Sequence, residues 1–178
     1  MATRKQIIKI WIFLLSNSIY LNANCIVPNI LLKTVQITEN ETSNPYLIRT
    51  NEDVNTFYNI VNRFTYKKQE DKNVIDCLNK ENCTYITNSL IENNITNIDL
   101  GLHQINYKSY KYPAYTYFDK VQSSINACSI IEDKIKMNKN KWSWEVLASY
   151  HSITPHLNRK YKEKLIKNYI KLISQIQN

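Results

Sequence analysis

Four cysteines, Cys25, Cys77, Cys83 and Cys128, stand behind an export-like N-terminus, and that pairing constrains the fold more than any other feature. Arg4 and Lys5 make a charged start, and Ile7 to Leu21 is apolar apart from Lys9, Ser16, Asn17 and Ser18. Leu21-Asn22-Ala23 then offers small and polar residues for cleavage. This is the three-part pattern of a secretory signal peptide over residues 1–23, cut after Ala23. The apolar run falls short of the ~20 residues that a membrane-spanning helix needs. A lipoprotein reading would use Cys25, but Asn24 just before it fits poorly. An even cysteine count in an exported chain reads as disulfides. Three pairings are possible, and the preferred one clips Cys77 to Cys83 as a local loop and ties Cys25 to Cys128. No zinc site or other metal is expected, since there is no Cys-x-x-Cys, and His103, His151 and His156 lack the matching spacing.

The 178 residues suit one domain, running from residue 24 to 178, large enough to bury a proper core. The net charge of +8 suits an anionic partner: nucleic acid, a membrane surface or an acidic polymer such as cell wall. Charge by itself does not choose among these, and a solvated basic surface would give the same number. A nucleic-acid reading has nothing else behind it.

The chain reads as mostly helical. Pro28 opens a helix over Asn29 to Thr38, with Ile30, Leu31 and Val35 on one side. Asn51-Glu52-Asp53 caps a second, along which Val54, Phe57, Tyr58, Val61 and Phe64 recur at helical spacing. Lys67 to Asn73 reads as a charged loop. Thr84 to Thr87 and Asn97 to Leu100 read as short strands, forming a small β-element beside a helical bundle. A Tyr-rich stretch broken by Pro113 leads to a helix from Asp119 to Met137, with Val121, Ile125, Cys128, Ile131 and Ile135 on its inward face. Ser143 caps a short helix reaching Tyr150, and Pro155 ends the turn after it. Asn158 to Ile176 is a basic amphipathic helix. No internal repeat or second domain is visible.

Two segments carry chemistry. Glu39 lies at the end of the first helix with apolar neighbours, where a carboxyl group is suited to donate a proton. Glu41 competes with it from the polar turn. Gly101-Leu102-His103-Gln104-Ile105-Asn106 begins with the only glycine of the chain. Such an acid, paired with a short polar segment, is the arrangement of a sugar-cleaving cleft. Glu92-Asn93-Asn94-Ile95-Thr96 also matches an acid-extended N-glycosylation sequon at Asn94, a match that chance explains in a chain so rich in Asn and Thr.

Taken together these segments resemble a known family. Thr38-Glu39-Asn40-Glu41-Thr42-Ser43-Asn44-Pro45-Tyr46-Leu47-Ile48 resembles the Glu-Ser-x-x-Asn-Pro-Tyr-Ala-Ile signature of the bacterial lytic transglycosylases, of the secretion- and conjugation-associated type. Gly101 to Asn106 is similar to their Gly-Leu-Met-Gln-Ile-Asn segment. Ala148-Ser149-Tyr150-His151-Ser152, followed by Asn158-Arg159-Lys160-Tyr161, is similar to their Ala-Tyr-Asn-x-Gly and downstream tyrosine. The blocks occur in family order over about Pro28 to Tyr161. The resemblance implies a mainly α (α+β), lysozyme-like helical domain with a small β-element. It implies a periplasmic enzyme that cleaves peptidoglycan glycan strands without cofactor. Glu39 would be the single acid/base. Gln104 would bind sugar, Gly101 would let the backbone turn close to it, and Asn106 would hold the loop. Tyr150 would set its hydroxyl near Glu39, with His151 beside the substrate. Such enzymes often serve a secretion, conjugation or pilus apparatus. The departures are a one-residue slip around Glu39, His103 where methionine is usual, Ser124-Ile125 where Asn-Ile is often found, and His151 where asparagine is usual. A hydrolytic muramidase of the same fold and a non-catalytic wall-binding assembly protein are the alternatives.

Overall fold

A computed structural model of the chain describes residues 25–177, so the expected signal peptide lies outside the described residues. Helices α1 (Asn29–Glu39), α2 (Val54–Val61), α3 (Lys80–Glu92), α4 (Ala114–Phe118), α5 (Lys120–Met137), α6 (Trp144–Ala148) and α7 (Pro155–Gln177) surround a small sheet. Its strands are β1 (Leu47–Thr50), β2 (Lys67–Lys68), β3 (Val74–Asp76), β4 (Ile98–Leu100) and β5 (Ile105–Asn106), ordered β2-β3-β1-β4-β5 with every neighbouring pair antiparallel. The class is therefore α+β and mainly helical. Among the described residues no helix is long and apolar enough to cross a membrane.

The caps explain where the helices begin. Asp53 accepts the Thr56 amide at 2.8 Å, Asn79 the Asn82 amide at 2.9 Å, and Ser143 the Val146 amide at 3.2 Å. Each satisfies a donor that the first helical turn leaves open. Pro155 does not end a turn, as expected from sequence, but opens α7, where its missing N–H costs nothing. The strand expected over Thr84 to Thr87 belongs instead to α3, because the Asn79 cap and the buried stripe Cys83, Ile86, Thr87 and Leu90 outweigh the β-branched residues. The charged loop expected over Lys67 to Asn73 contributes the exposed edge strand β2, while β1, β3 and β5 carried no strand signal in the sequence. The inward face of α5 is also rotated from expectation. Val121 is 51 % exposed, and Ser123, Asn126, Ala127 and Ile130 are buried with Cys128 and Ile131. Asn126 and Ser123 earn burial by hydrogen bonding, Asn126 donating to Thr116 Oγ1 at 3.0 Å.

The core runs between sheet and helices through Phe57, Ile48, Ile98, Leu100, Tyr117 and Leu165. Helix α1 lies against α7, where Asn168 donates to Thr38 Oγ1 at 3.0 Å, so the residue following Thr38 is held at the junction of the two helices. Both preferred disulfides are present, Cys25–Cys128 and Cys77–Cys83. The sulfur of Cys25 is thus committed to α5 and not free for lipid attachment. The two bonds fit an oxidising compartment.

The loops they close differ greatly, with separations of 103 and 6 residues. Loop entropy assigns about 5 kcal/mol to the long loop and about 2 kcal/mol to the short one. Urea unfolding of the Cys25→Ala/Cys128→Ala pair is expected to show the larger loss. A larger loss from Cys77→Ala/Cys83→Ala would mean that packing of those buried sulfurs outweighs the loop term.

Candidate active site

Helix α1 ends at Glu39 because Asn40 leaves helical geometry, with φ −147° and ψ 86°. The turn that follows is held by side chains. Asn40 Nδ2 donates to the Asn44 carbonyl at 2.7 Å, Thr42 Oγ1 to Asn40 Oδ1 at 2.8 Å, and Gln36 Nε2 to Ser43 Oγ at 2.7 Å. Ser43 takes φ +55° within this network. Asn44 anchors the far end, donating to Asp76 Oδ2 at 2.9 Å and accepting the Tyr46 amide at 2.9 Å. Of the two competing acids, Glu41 is exposed and Glu39 points inward.

Glu39 lines a cavity of about 560 Å³ together with Gln104, Asn106, Tyr150 and His151. Five of the six residues expected at the site therefore share one cleft. Gly101 is the exception. Its φ is +73°, and a Cβ there would fall 1.9 Å from the Tyr117 carbonyl oxygen. Glycine is needed for backbone packing against α4, and the close approach is not toward the cleft. That packing sets the next three residues. Gln104, at φ +45°, donates from Nε2 to the Gly101 carbonyl at 2.8 Å. Asn106 donates to Asn97 Oδ1 at 2.9 Å and Asp99 Oδ1 at 2.8 Å and accepts the Ser109 amide at 3.1 Å, holding the loop as expected.

His103 faces away from the cleft. Its ring is buried, with Nδ1 3.1 Å from Ser123 Oγ, and burial pushes its pKa down to about 4, with the Lys33 charge adding to the effect. It stays neutral at ordinary pH. Its carbonyl accepts the Tyr150 hydroxyl at 2.9 Å, so Tyr150 ties the Gly101 turn to the segment after α6. Burial, then the Glu39 charge, raise the Tyr150 hydroxyl well above its usual pKa.

His151 is the titrating neighbour. Its Nδ1 lies 3.4 Å from Glu39 Oε1, within ion-pair reach but too poorly aligned to satisfy that oxygen as a hydrogen bond. Its ring stacks on Tyr161 with centroids 4.6 Å apart and planes 8° apart. The Glu39 contact raises its pKa above 6.5, burial opposing and the Asp99 charge assisting.

Near the expected residues stand Tyr161, matched in the sequence only as a downstream tyrosine, and Asp99, to which the sequence reading gave no role. Tyr161, on the apolar stripe of α7, sets its buried hydroxyl beside Glu39 without a well-aligned hydrogen bond, and burial, then the Glu39 charge and contact, raise its pKa well above the usual value. Glu39 Oε1 is likewise buried and unsatisfied. Asp99, on β4 opposite Arg49 and Asn106, is a second carboxyl group in the cavity. Burial raises its pKa, hydrogen bonds from Asn51 and Asn106 oppose this, and the Glu39 charge adds to it. Strand alternation alone did not say which face of β4 meets the cleft. Asn94 of the sequon is exposed in the turn after α3, outside the cavity lining.

Comparison of the chain with protein-family models, with curated proteins and with solved structures returns no match.

Gly101→Ala is expected to lower stability by about 3 kcal/mol or more in urea unfolding, since it adds both a clash and a strained φ. An unchanged midpoint would show that Tyr117 yields freely. For His151, a folded pKa above the unfolded value makes the Glu39 contact stabilising below about pH 6.5, a contribution lost as pH rises through the folded value. NMR titration should place His151 above its ordinary pKa in the parent and lower in Glu39→Gln. The stability gap between the two proteins should narrow as pH rises from about 6 to about 8.

Proposed function

We propose that this chain is a lysozyme-like peptidoglycan lytic transglycosylase, exported to the periplasm, with Glu39 as its acid/base. The observation that carries this reading is the meeting of Glu39, Gln104, Tyr150 and His151 in one cleft, with Glu41 outside it. These residues come from three segments far apart in sequence, in the order the family resemblance implies. The two disulfides suit an exported protein.

The chemistry needs one group that gives a proton and then takes one. Glu39 in its acid form protonates the glycosidic oxygen between N-acetylmuramic acid and N-acetylglucosamine as the C1–O bond breaks. The muramyl 6-hydroxyl oxygen then bonds to C1, its proton passes to the Glu39 carboxylate, and a 1,6-anhydro ring closes without water. The His151 contact suits the carboxylate form that this second step uses. The Tyr161 hydroxyl lies beside Glu39, and Gln104 offers its side-chain amide to the sugar. The size of the domain suits local wall opening for a secretion, conjugation or pilus apparatus.

Asp99 favours one second reading, a hydrolytic muramidase. Two carboxyl groups with unlike environments in one cleft are what hydrolysis with an acid and a nucleophile or base requires. Product analysis on purified peptidoglycan separates the two. Anhydromuramyl ends that persist in Asp99→Asn support the transglycosylase. Reducing ends that vanish in Asp99→Asn support the muramidase. In either case Glu39→Gln should cut the rate by about 10²–10⁴-fold while Glu41→Gln leaves it within about twofold. A parent protein that releases no fragments would leave a wall-binding assembly protein as the reading.

A further inference from the structure

Opposite in charge to the two carboxyl groups, Lys108 and Lys134 also line the cleft. Neither has a carboxylate partner among the described ion pairs. The acids of α5 that could neutralise Lys134 are engaged elsewhere. Asp133 pairs with Lys136 at 3.3 Å, and Glu132 accepts the Ile26 amide at 2.8 Å. Lys134 is only partly exposed and is held in place, its ammonium 5.7 Å above the ring of Tyr110, which itself lines the cavity. One turn earlier, buried Ile130 faces the same cavity and sets the register of the helix there. Lys108 approaches from the segment after β5, where Ser109 and Tyr110 are fixed by the Asn106 side chain and backbone. Two cations without carboxylate partners among the described ion pairs, half-buried Lys134 and exposed Lys108, line one cleft from different elements and favour an anion there.

We infer that Lys108 and Lys134 form a subsite for a carboxylate carried by the saccharide substrate. This rests on the peptidoglycan reading above and narrows it to acidic glycan over neutral glycan. A carboxylate entering beside Lys134 gains a charge-assisted contact, with Lys108 adding its charge from an exposed position, in a cleft lined there by Tyr110 and Ile130. Peptidoglycan carries such carboxylates from two sources, the stem peptide and, where the stem has been removed, the muramyl lactyl group. A polymer of N-acetylglucosamine alone carries neither.

Calorimetric titration tests this with three probes. They are a chitotetraose, a tetrasaccharide of alternating N-acetylglucosamine and N-acetylmuramic acid with free lactyl groups, and the same tetrasaccharide bearing tripeptide stems. Glu39→Gln serves as the reference so that no probe is consumed, and Lys108→Gln/Lys134→Gln is added to it. The added pair is expected to weaken binding of a carboxylated probe by about tenfold while chitotetraose changes by less than about twofold. Loss confined to the stem-bearing probe assigns the subsite to the peptide. Loss on the lactyl probe assigns it to the sugar. Lys108→Arg/Lys134→Arg should restore most of the affinity, and thermal melts of both pairs should match the reference. Equal loss on all three probes, or loss on none, overturns the subsite and leaves the glycan reading standing. A reference protein that binds none of the three overturns both.

Discussion

Everything in the cleft depends on how the turn from Gly101 to Gln104 is pinned. From one side the Tyr117 carbonyl of α4 occupies the space a side chain on Gly101 would need. From another the His103 ring is buried against Ser123 of α5. From a third the Tyr150 hydroxyl is donated to the His103 carbonyl. Two helices and the segment after α6 therefore hold one turn between β4 and β5, and the turn sets where Gln104 sits relative to Glu39. The two polar contacts are buried, so each would leave a group unpaired if lost, which holds the turn more firmly than an exposed loop would be held.

The electrostatics of the cleft follow from which groups are paired. Glu39 approaches His151 without a full hydrogen bond, and Asp99 is held by two asparagines. Tyr150 and Tyr161 are kept protonated by burial and by the neighbouring carboxylate. Lys108 and Lys134 answer to no carboxylate among the described ion pairs. Tyrosines, a titrating imidazole, two acids and two cations thus share one cavity.

Short-range signals were readable where a residue acts on its near neighbours. Pro28, Asp53 and Ser143 each announced a helix, and the helices begin there. Cys77 and Cys83 announced a local clip. Signals failed where packing decides. Thr84 to Thr87 has β-branched character but sits in a helix whose buried stripe wins. The polar faces of Ser123 and Asn126 turned inward because His103 and Thr116 supply partners, rotating α5 away from its most apolar face. Strands β1, β3 and β5 are too short to carry a period, so only their pairing defines them.

By itself the sequence supplied a preferred disulfide pairing, the starts of three helices and a short list of chemistry-bearing residues, since caps, nearby cysteines and a lone glycine act locally. Only the tertiary structure put Glu39 at the cleft and left Glu41 exposed, because a helix end that projects one acid inward and the next outward depends on the asparagine network of the turn. It also turned Gly101 from a neighbour of the cleft into a packing residue, and brought Asp99, Lys108 and Lys134 to it. Their neighbours lie far off in the chain, on other strands and helices, and no local pattern of residues encodes a meeting of that kind.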